Sequence, residues 1–162
     1  MNTADSLFEA METETGLYGE LAESFEKESA MLPRMSVKEI IGTAAVQEEI
    51  IRKIRCSAIK RAETAAFLAA ELGLEDSPST LAGLLEHLGE PEKTRLAVLK
   101  AGLEEAAAAA KAAKDINVHL IDRMLGQIDK TIYVLGGSAG RQDGYGPGLP
   151  GGVSSGLLSS SL

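Results

Sequence analysis

Residues 36–74 read SVKEIIGTAAVQEEIIRKIRCSAIKRAETAAFLAAELGL, and this stretch predicts one long helix. It opens with a capping box, in which Ser36 caps a free backbone N–H group and Glu39 reaches back to Ser36. Gly73 followed by Leu74 is typical of a left-handed helix end with its apolar contact. Between these signals, nine of eleven positions at steps of three and four residues are apolar. The series is Val37, Ile40, Ala44, Gln47, Ile51, Ile54, Ala58, Arg61, Ala65, Leu68 and Leu72.

Helices are also predicted on both sides of this stretch. Residues 4–30 carry an apolar stripe at helical spacing, formed by Leu7, Met11, Tyr18, Leu21 and Phe25. A short helix is predicted over 80–88, and a third long helix from Pro91 to Leu135, before Gly136 and Gly137. The stripe of this third helix is Leu96, Leu99, Leu103, Ala106, Ala110, Ala113, Asn117, Leu120 and Met124. We therefore predict an all-α fold, an elongated antiparallel bundle or hairpin of long helices.

The composition changes sharply after residue 135. Residues 136–162 contain nine Gly, two Pro and six Ser among 27 positions. Such a segment buries too little apolar surface to offset its chain entropy, so it predicts a flexible tail. The expected organisation is a helical bundle over 1–135 and a Gly/Ser/Pro-rich tail over 136–162.

Charge and composition exclude several classes of function. The 162-residue chain has 24 acidic and 16 basic side chains, a net charge of −8, which disfavours a nucleic-acid binder. The single cysteine, Cys56, forms neither an internal disulfide nor a thiolate metal site. The sequence shows neither an apolar run of membrane-spanning length nor a secretory signal, so we expect a cytoplasmic protein.

Signals for catalysis are absent from the sequence. The two histidines, His87 and His119, lack the Glu three positions earlier that is typical of di-iron bundles. Zinc-helix and phosphate-loop motifs are missing as well. Asp115, His119 and Asp122 share a helix face, which we interpret as solvated or salt-bridged rather than metal-binding. We therefore predict no enzyme activity, no cofactor and no metal.

The end of the third long helix carries more apolar residues than one neighbouring helix needs. A second stripe begins beside the first at Asn117 and runs in unbroken steps of three and four: Val118, Ile121, Leu125, Ile128, Ile132 and Leu135. A surface helix normally has one apolar arc. The excess predicts a further partner, which is the helix over 80–88, the first helix, a second copy of the chain or a client helix.

The same region resembles the FlgN-type chaperones of flagellar type III export. The similarity lies in Asn117, the Leu120-Ile121 pair, the regularly spaced Leu125, Ile132 and Leu135, and the Tyr145-Gly146-Pro147-Gly148 segment in the tail. The Gln47-Glu48-Glu49-Ile50-Ile51-Arg52-Lys53 segment is similar to the charged and aliphatic second helix of that family.

The resemblance implies a chaperone that binds the C-terminal amphipathic helices of hook–filament junction proteins. It places client contacts on the helix that ends at residue 135 and docking on a membrane export-gate component at Tyr145 and Gly146. The predicted client contacts are Asn117, Val118, Leu120, Ile121, Met124, Leu125, Ile128, Ile132 and Leu135. The alternative is a non-enzymatic coiled-coil protein that forms a homodimer through the second stripe.

Overall fold

The computed structural model describes residues 2–74 and 80–139, without the side chains of 137–139. Within these ranges it contains four α-helices and no strand, which confirms the predicted all-α class. The helices are α1 (Thr3–Met31), α2 (Val37–Glu71), α3 (Leu81–His87) and α4 (Glu92–Ala139), and a 3₁₀ turn, Leu32–Arg34, links α1 to α2. None of the helices in the described part of the chain is apolar over a stretch long enough to cross a membrane.

The limits predicted for α2 are confirmed in atomic detail. The Ser36 hydroxyl accepts a hydrogen bond from the Glu39 N–H at 3.3 Å, and the Glu39 carboxylate accepts one from the Ser36 N–H at 2.7 Å. At the other end Gly73 adopts a φ of 72°, which glycine tolerates because it has no Cβ. The N–H of Leu74 then donates to the Ala69 carbonyl at 2.9 Å, the bond that closes a Schellman motif.

The prediction for the end of α4 is wrong by four residues. The helix continues through Gly136 and Gly137 and ends at Ala139 rather than at Leu135. Glycine lowers helix stability by about 1 kcal/mol but does not block the helix sterically as proline does. The start differs by one residue, because Pro91 precedes the first helical residue, Glu92.

Two compact units divide the chain, Met1–Leu125 and Gly126–Leu162, and α4 contributes residues to both. The boundary predicted at residue 135 stays a prediction.

Polar contacts show how the helices of the first unit are aligned. Glu14 of α1 pairs with Arg61 of α2 at 2.6 Å, and Glu28 accepts a hydrogen bond from Gln47 at 2.7 Å, so α1 and α2 are antiparallel. On the other side Arg95 of α4 pairs with Glu12 at 3.1 Å. The Asn117 amide of α4 reaches Ser29 at 3.2 Å, so α4 runs parallel to α1.

The core of this unit consists of two apolar clusters. The cluster beside the first turns of α1 contains Leu7, Phe8, Met11, Leu68, Leu84 and Leu96. The cluster farther along α1 contains Leu21, Phe25, Ile50, Ile54, Ala110 and Ala113. We call the end of the bundle at the first cluster the closed end, because Leu84 of α3 is buried against it there. The open end comprises the last turn of α1, the first turns of α2 and residues 116–125 of α4.

Candidate functional site

The first half of α4 is a core helix. Leu96 is fully buried, and Leu103, Ala110 and Ala113 also face the bundle interior. These four residues belong to the predicted stripe and are separated by seven, seven and three residues, so the sequence correctly identifies this face. The small Ala side chains allow α4 to approach Leu21 and Phe25 of α1 closely.

Asn117 is the last buried residue among the α4 side chains that the structure describes. Its side chain is 2% exposed, and its amide donates to the Ser29 hydroxyl at 3.2 Å. Leu120, Ile121 and Met124 follow Asn117 at helical spacing and are half-buried. In this structure Asn117 therefore aligns α4 with α1, and its contact with a client stays a prediction.

Two predicted contact residues of the first unit are exposed on the neighbouring face. Val118 is 45% exposed and Leu125 is 55% exposed. The reason is the length of α1, which ends at Met31, only two residues after Ser29. The short helix α3 packs against the closed end and does not cover these side chains.

The second unit continues the same pattern within its own helical residues. Ile128, Ile132 and Leu135 are 52%, 62% and 64% exposed. Tyr133 and Val134 beside them are also exposed. We use the name α4 row for the exposed members of the predicted second stripe in each unit, which are Val118 and Leu125 in the first unit and Ile128, Ile132 and Leu135 in the second.

Further exposed apolar residues at the open end were not predicted from the sequence. They are Met31 of α1, Val37, Ile41 and Val46 of α2, and Ile116 of α4. Ile41 and Val46 are apolar residues outside the eleven-position stripe of α2. Their position off the buried stripe is the sequence signal that could have predicted their exposure. Val37 lies within that stripe, but α1 ends before it reaches the level of Val37.

Exposed charged groups of the described residues form helix caps and surface pairs, whereas Glu14 and Glu28 are buried. The Lys27 ammonium lowers the pKa of Glu23, the Ser36 N–H and hydroxyl lower the pKa of Glu39, and Arg52 lowers the pKa of Glu49. Asp115 accepts a hydrogen bond from Lys111 at 3.2 Å. In the described ranges no three His, Cys, Asp or Glu side chains come together in a metal-binding group.

Two of the predicted site residues cannot be placed. Tyr145 and Gly146, expected to dock on the export gate, lie outside the described residues.

The α4 row offers burial of apolar surface and no reactive group. Aliphatic side chains at steps of three and four on an exposed helix are the pattern by which one amphipathic helix docks on another. An all-α fold with such exposed aliphatic residues is typical of a helical binding protein.

Comparison with known proteins agrees with this class and narrows it. The model of one family, described as FlgN protein, matches residues 1–148. No curated protein and no solved structure matches the chain. Since the matched region covers most of the 162 residues, the chain belongs to the FlgN family of flagellar export chaperones.

Proposed function

We propose that this chaperone binds the C-terminal amphipathic helices of hook–filament junction proteins along the α4 row. Family membership supports the binding of flagellar export substrates in general. The observation that carries the finer proposal is the exposure of aliphatic side chains on α4 that follow the buried half of the same helix.

The energetics favour a helical client. A fully buried Leu, Ile or Val side chain contributes about 1.5–3 kcal/mol. About half or more of each side chain in the α4 row is exposed, so burying this exposed part on binding contributes about 1 kcal/mol per residue. A client helix gains a similar free energy from binding, because its own apolar stripe is exposed to water before export and is buried in the complex. The half-buried Met124 beside the row has a flexible side chain that adjusts to different clients.

The binding step needs no chemistry, so we expect no enzyme activity. The chaperone is proposed to act in the cytoplasm, to keep the client helix from associating with other subunits, and to deliver it to a membrane export-gate component. In this proposal Tyr145 is the aromatic anchor of the delivery step, and Gly146 lets the partner backbone approach.

Calorimetry with a synthetic peptide of a junction-protein C-terminal helix tests the binding step. Leu125→Asp and Ile128→Asp each place a charge in the row and are expected to weaken binding at least about tenfold. Val98→Asp is the matched control, because Val98 is 67% exposed on the same helix but lies outside the row. Unchanged affinity in both row variants would show that the client binds elsewhere.

A second experiment separates delivery from binding. Tyr145→Ala is expected to leave the peptide affinity unchanged and to reduce secretion of the junction protein in cells.

Light scattering at micromolar concentration tests the homodimer alternative. A stable dimer that Leu125→Asp converts to a monomer favours the coiled-coil alternative over the client.

A further inference from the structure

A second apolar surface lies on the side of the bundle formed by α1 and α2. There a groove of about 520 Å³ is bordered by the second half of α1, the first turns of α2 and the link between them. Met31, Met35 and Val46 provide its apolar surface. Its lining residues do not include any residue of α4, so this groove is distinct from the α4 row.

The charged residues that line this groove are mostly acidic. Glu20, Glu23, Glu28 and Glu39 line it, and Lys27 is the one cation among the described residues that do. The Lys27 ammonium lies 2.5 Å from the Glu23 carboxylate, so its charge is already paired. Glu39 is engaged by the N–H and hydroxyl of Ser36 in the helix cap.

Glu28 has a different environment from the other acids of the groove. Glu28 is only 4% exposed, and the one hydrogen bond that its carboxylate accepts among the described residues comes from the neutral amide of Gln47, at 2.7 Å. Buried carboxylates are seldom left without a cation. Glu14 obeys this rule on the same face of α1, where it is 2% exposed and Arg61 pairs with it. The described part of the chain therefore holds one buried acid that is paired with a cation, Glu14, and one that is not, Glu28.

We propose that the groove docks a basic amphipathic segment of a partner protein, which places a Lys or Arg on Glu28 and apolar side chains on Met31, Met35 and Val46. The acidic lining favours a cationic segment through charge complementarity. Methionine side chains adapt to different apolar partners. This inference does not depend on the client proposed for the α4 row.

Other occupants fit the charge less well. A second copy of the chain brings a net charge of −8 and repels the acidic lining. The segment over residues 140–162 contains a single basic residue, Arg141, and is otherwise rich in Gly and Ser.

Fluorescence anisotropy with the full-length chain tests the proposal. The probe is a labelled 18-residue amphipathic peptide of Leu and Lys, compared with a peptide in which Gln replaces every Lys. Tight binding is expected for the Lys peptide alone. Glu28→Gln keeps an oxygen that accepts the Gln47 hydrogen bond, so the variant is expected to fold. It is expected to weaken binding of the Lys peptide about tenfold.

Two control variants locate the binding. Glu14→Gln removes an equally buried acid that already has a cation, and it is expected to leave peptide affinity unchanged. Leu125→Gln alters the α4 row and is also expected to have no effect. If Leu125→Gln abolishes binding and Glu28→Gln does not, the peptide occupies the α4 row and the proposal is overturned.

The remaining occupants give distinct outcomes. A dimer in analytical ultracentrifugation that Glu28→Gln converts to a monomer would assign the groove to a second copy and overturn the proposal. A tenfold gain in peptide affinity on Arg141→Gln would assign it to the chain's own C-terminal segment, with the same consequence. A monomeric wild type and an unchanged affinity of Arg141→Gln are the results expected.

Discussion

The two ends of the helical bundle differ in how the apolar side chains are covered. At the closed end Leu7, Phe8 and Met11 of α1 are buried beneath α3 and the first turns of α4. At the open end Val37 and Ile41 of α2 are exposed, as are Val118 and Leu125 of α4. Both ends are built from the same aliphatic residue types, so composition does not distinguish them.

The difference arises from the lengths of the helices and from one added element. The helix α3 fills the closed end with Leu84, which is buried. At the open end α1 stops at Met31, and no described segment replaces it. Among the described residues, the most deeply buried side chains belong to the first apolar cluster, and exposed apolar residues of the open end form part of the surfaces proposed for docking.

The largest expected effect comes from removing an aromatic side chain at the closed end. Phe8 is 1% exposed, and the Arg95 guanidinium lies 4.6 Å from its ring centroid. Phe8→Ala is expected to lower the free energy of unfolding by about 3–5 kcal/mol. Val37→Ala at the open end is the matched control and is expected to change it by less than about 0.5 kcal/mol. Urea denaturation measures both, and equal losses would show that the open end is buried in solution.

The next largest effect concerns Glu14, the buried acid of α1 that pairs with Arg61 of α2 between the two ends of the bundle. Arg61→Met leaves the Glu14 carboxylate buried without its cation and is expected to cost about 3 kcal/mol in unfolding free energy. Lys60→Met changes the adjacent exposed residue and is expected to cost little. Urea denaturation of the two variants gives the comparison. A loss in Arg61→Met no larger than in Lys60→Met would mean that the ion pair does not stabilise the alignment of α1 and α2.

Most of the fold could be predicted from local signals in the sequence. The capping box at Ser36 and the left-handed glycine at Gly73 are short-range motifs whose physics does not depend on tertiary contacts. The buried stripe of α4 from Leu96 to Ala113 follows from its spacing alone. The end of α4 was missed because two glycines weaken a helix without terminating it.

The open end could be predicted only in part, because exposure depends on where other helices stop. The spacing of Val118 and Leu125 predicted excess apolar surface, but not that α1 ends beside Asn117. Nor does spacing reveal that Ile121 is half-buried while its predicted neighbours are exposed. The groove beside Glu28 was missed altogether, since it depends on how α1 and α2 are aligned.

A smaller effect is expected at the C-terminal end of α2, which lies at the closed end of the bundle. Gly73→Ala is expected to cost about 1 kcal/mol, because φ is 72° and a Cβ there strains the backbone. Gly102→Ala, inside α4 where no contact opposes a Cβ, is the control and is expected to add about 0.5–1 kcal/mol. Thermal unfolding distinguishes these opposite signs. A gain in both variants would mean that Gly73 leaves the left-handed conformation in solution.

The smallest effect concerns the N-terminal end of α2, at the open end. The Ser36 N–H and hydroxyl lower the pKa of Glu39 from its ordinary value of 4.5. A carboxyl whose pKa falls on folding stabilises the fold above its unfolded pKa, and this contribution is lost as the pH falls through the folded pKa. The wild type is therefore expected to be more stable than Glu39→Gln at pH 7, with the difference vanishing as the pH falls below 4.5. Denaturation of both proteins across this range measures it, with Glu48→Gln as the control on the same helix. A difference that persists in acid would assign the effect to helix propensity rather than to the cap.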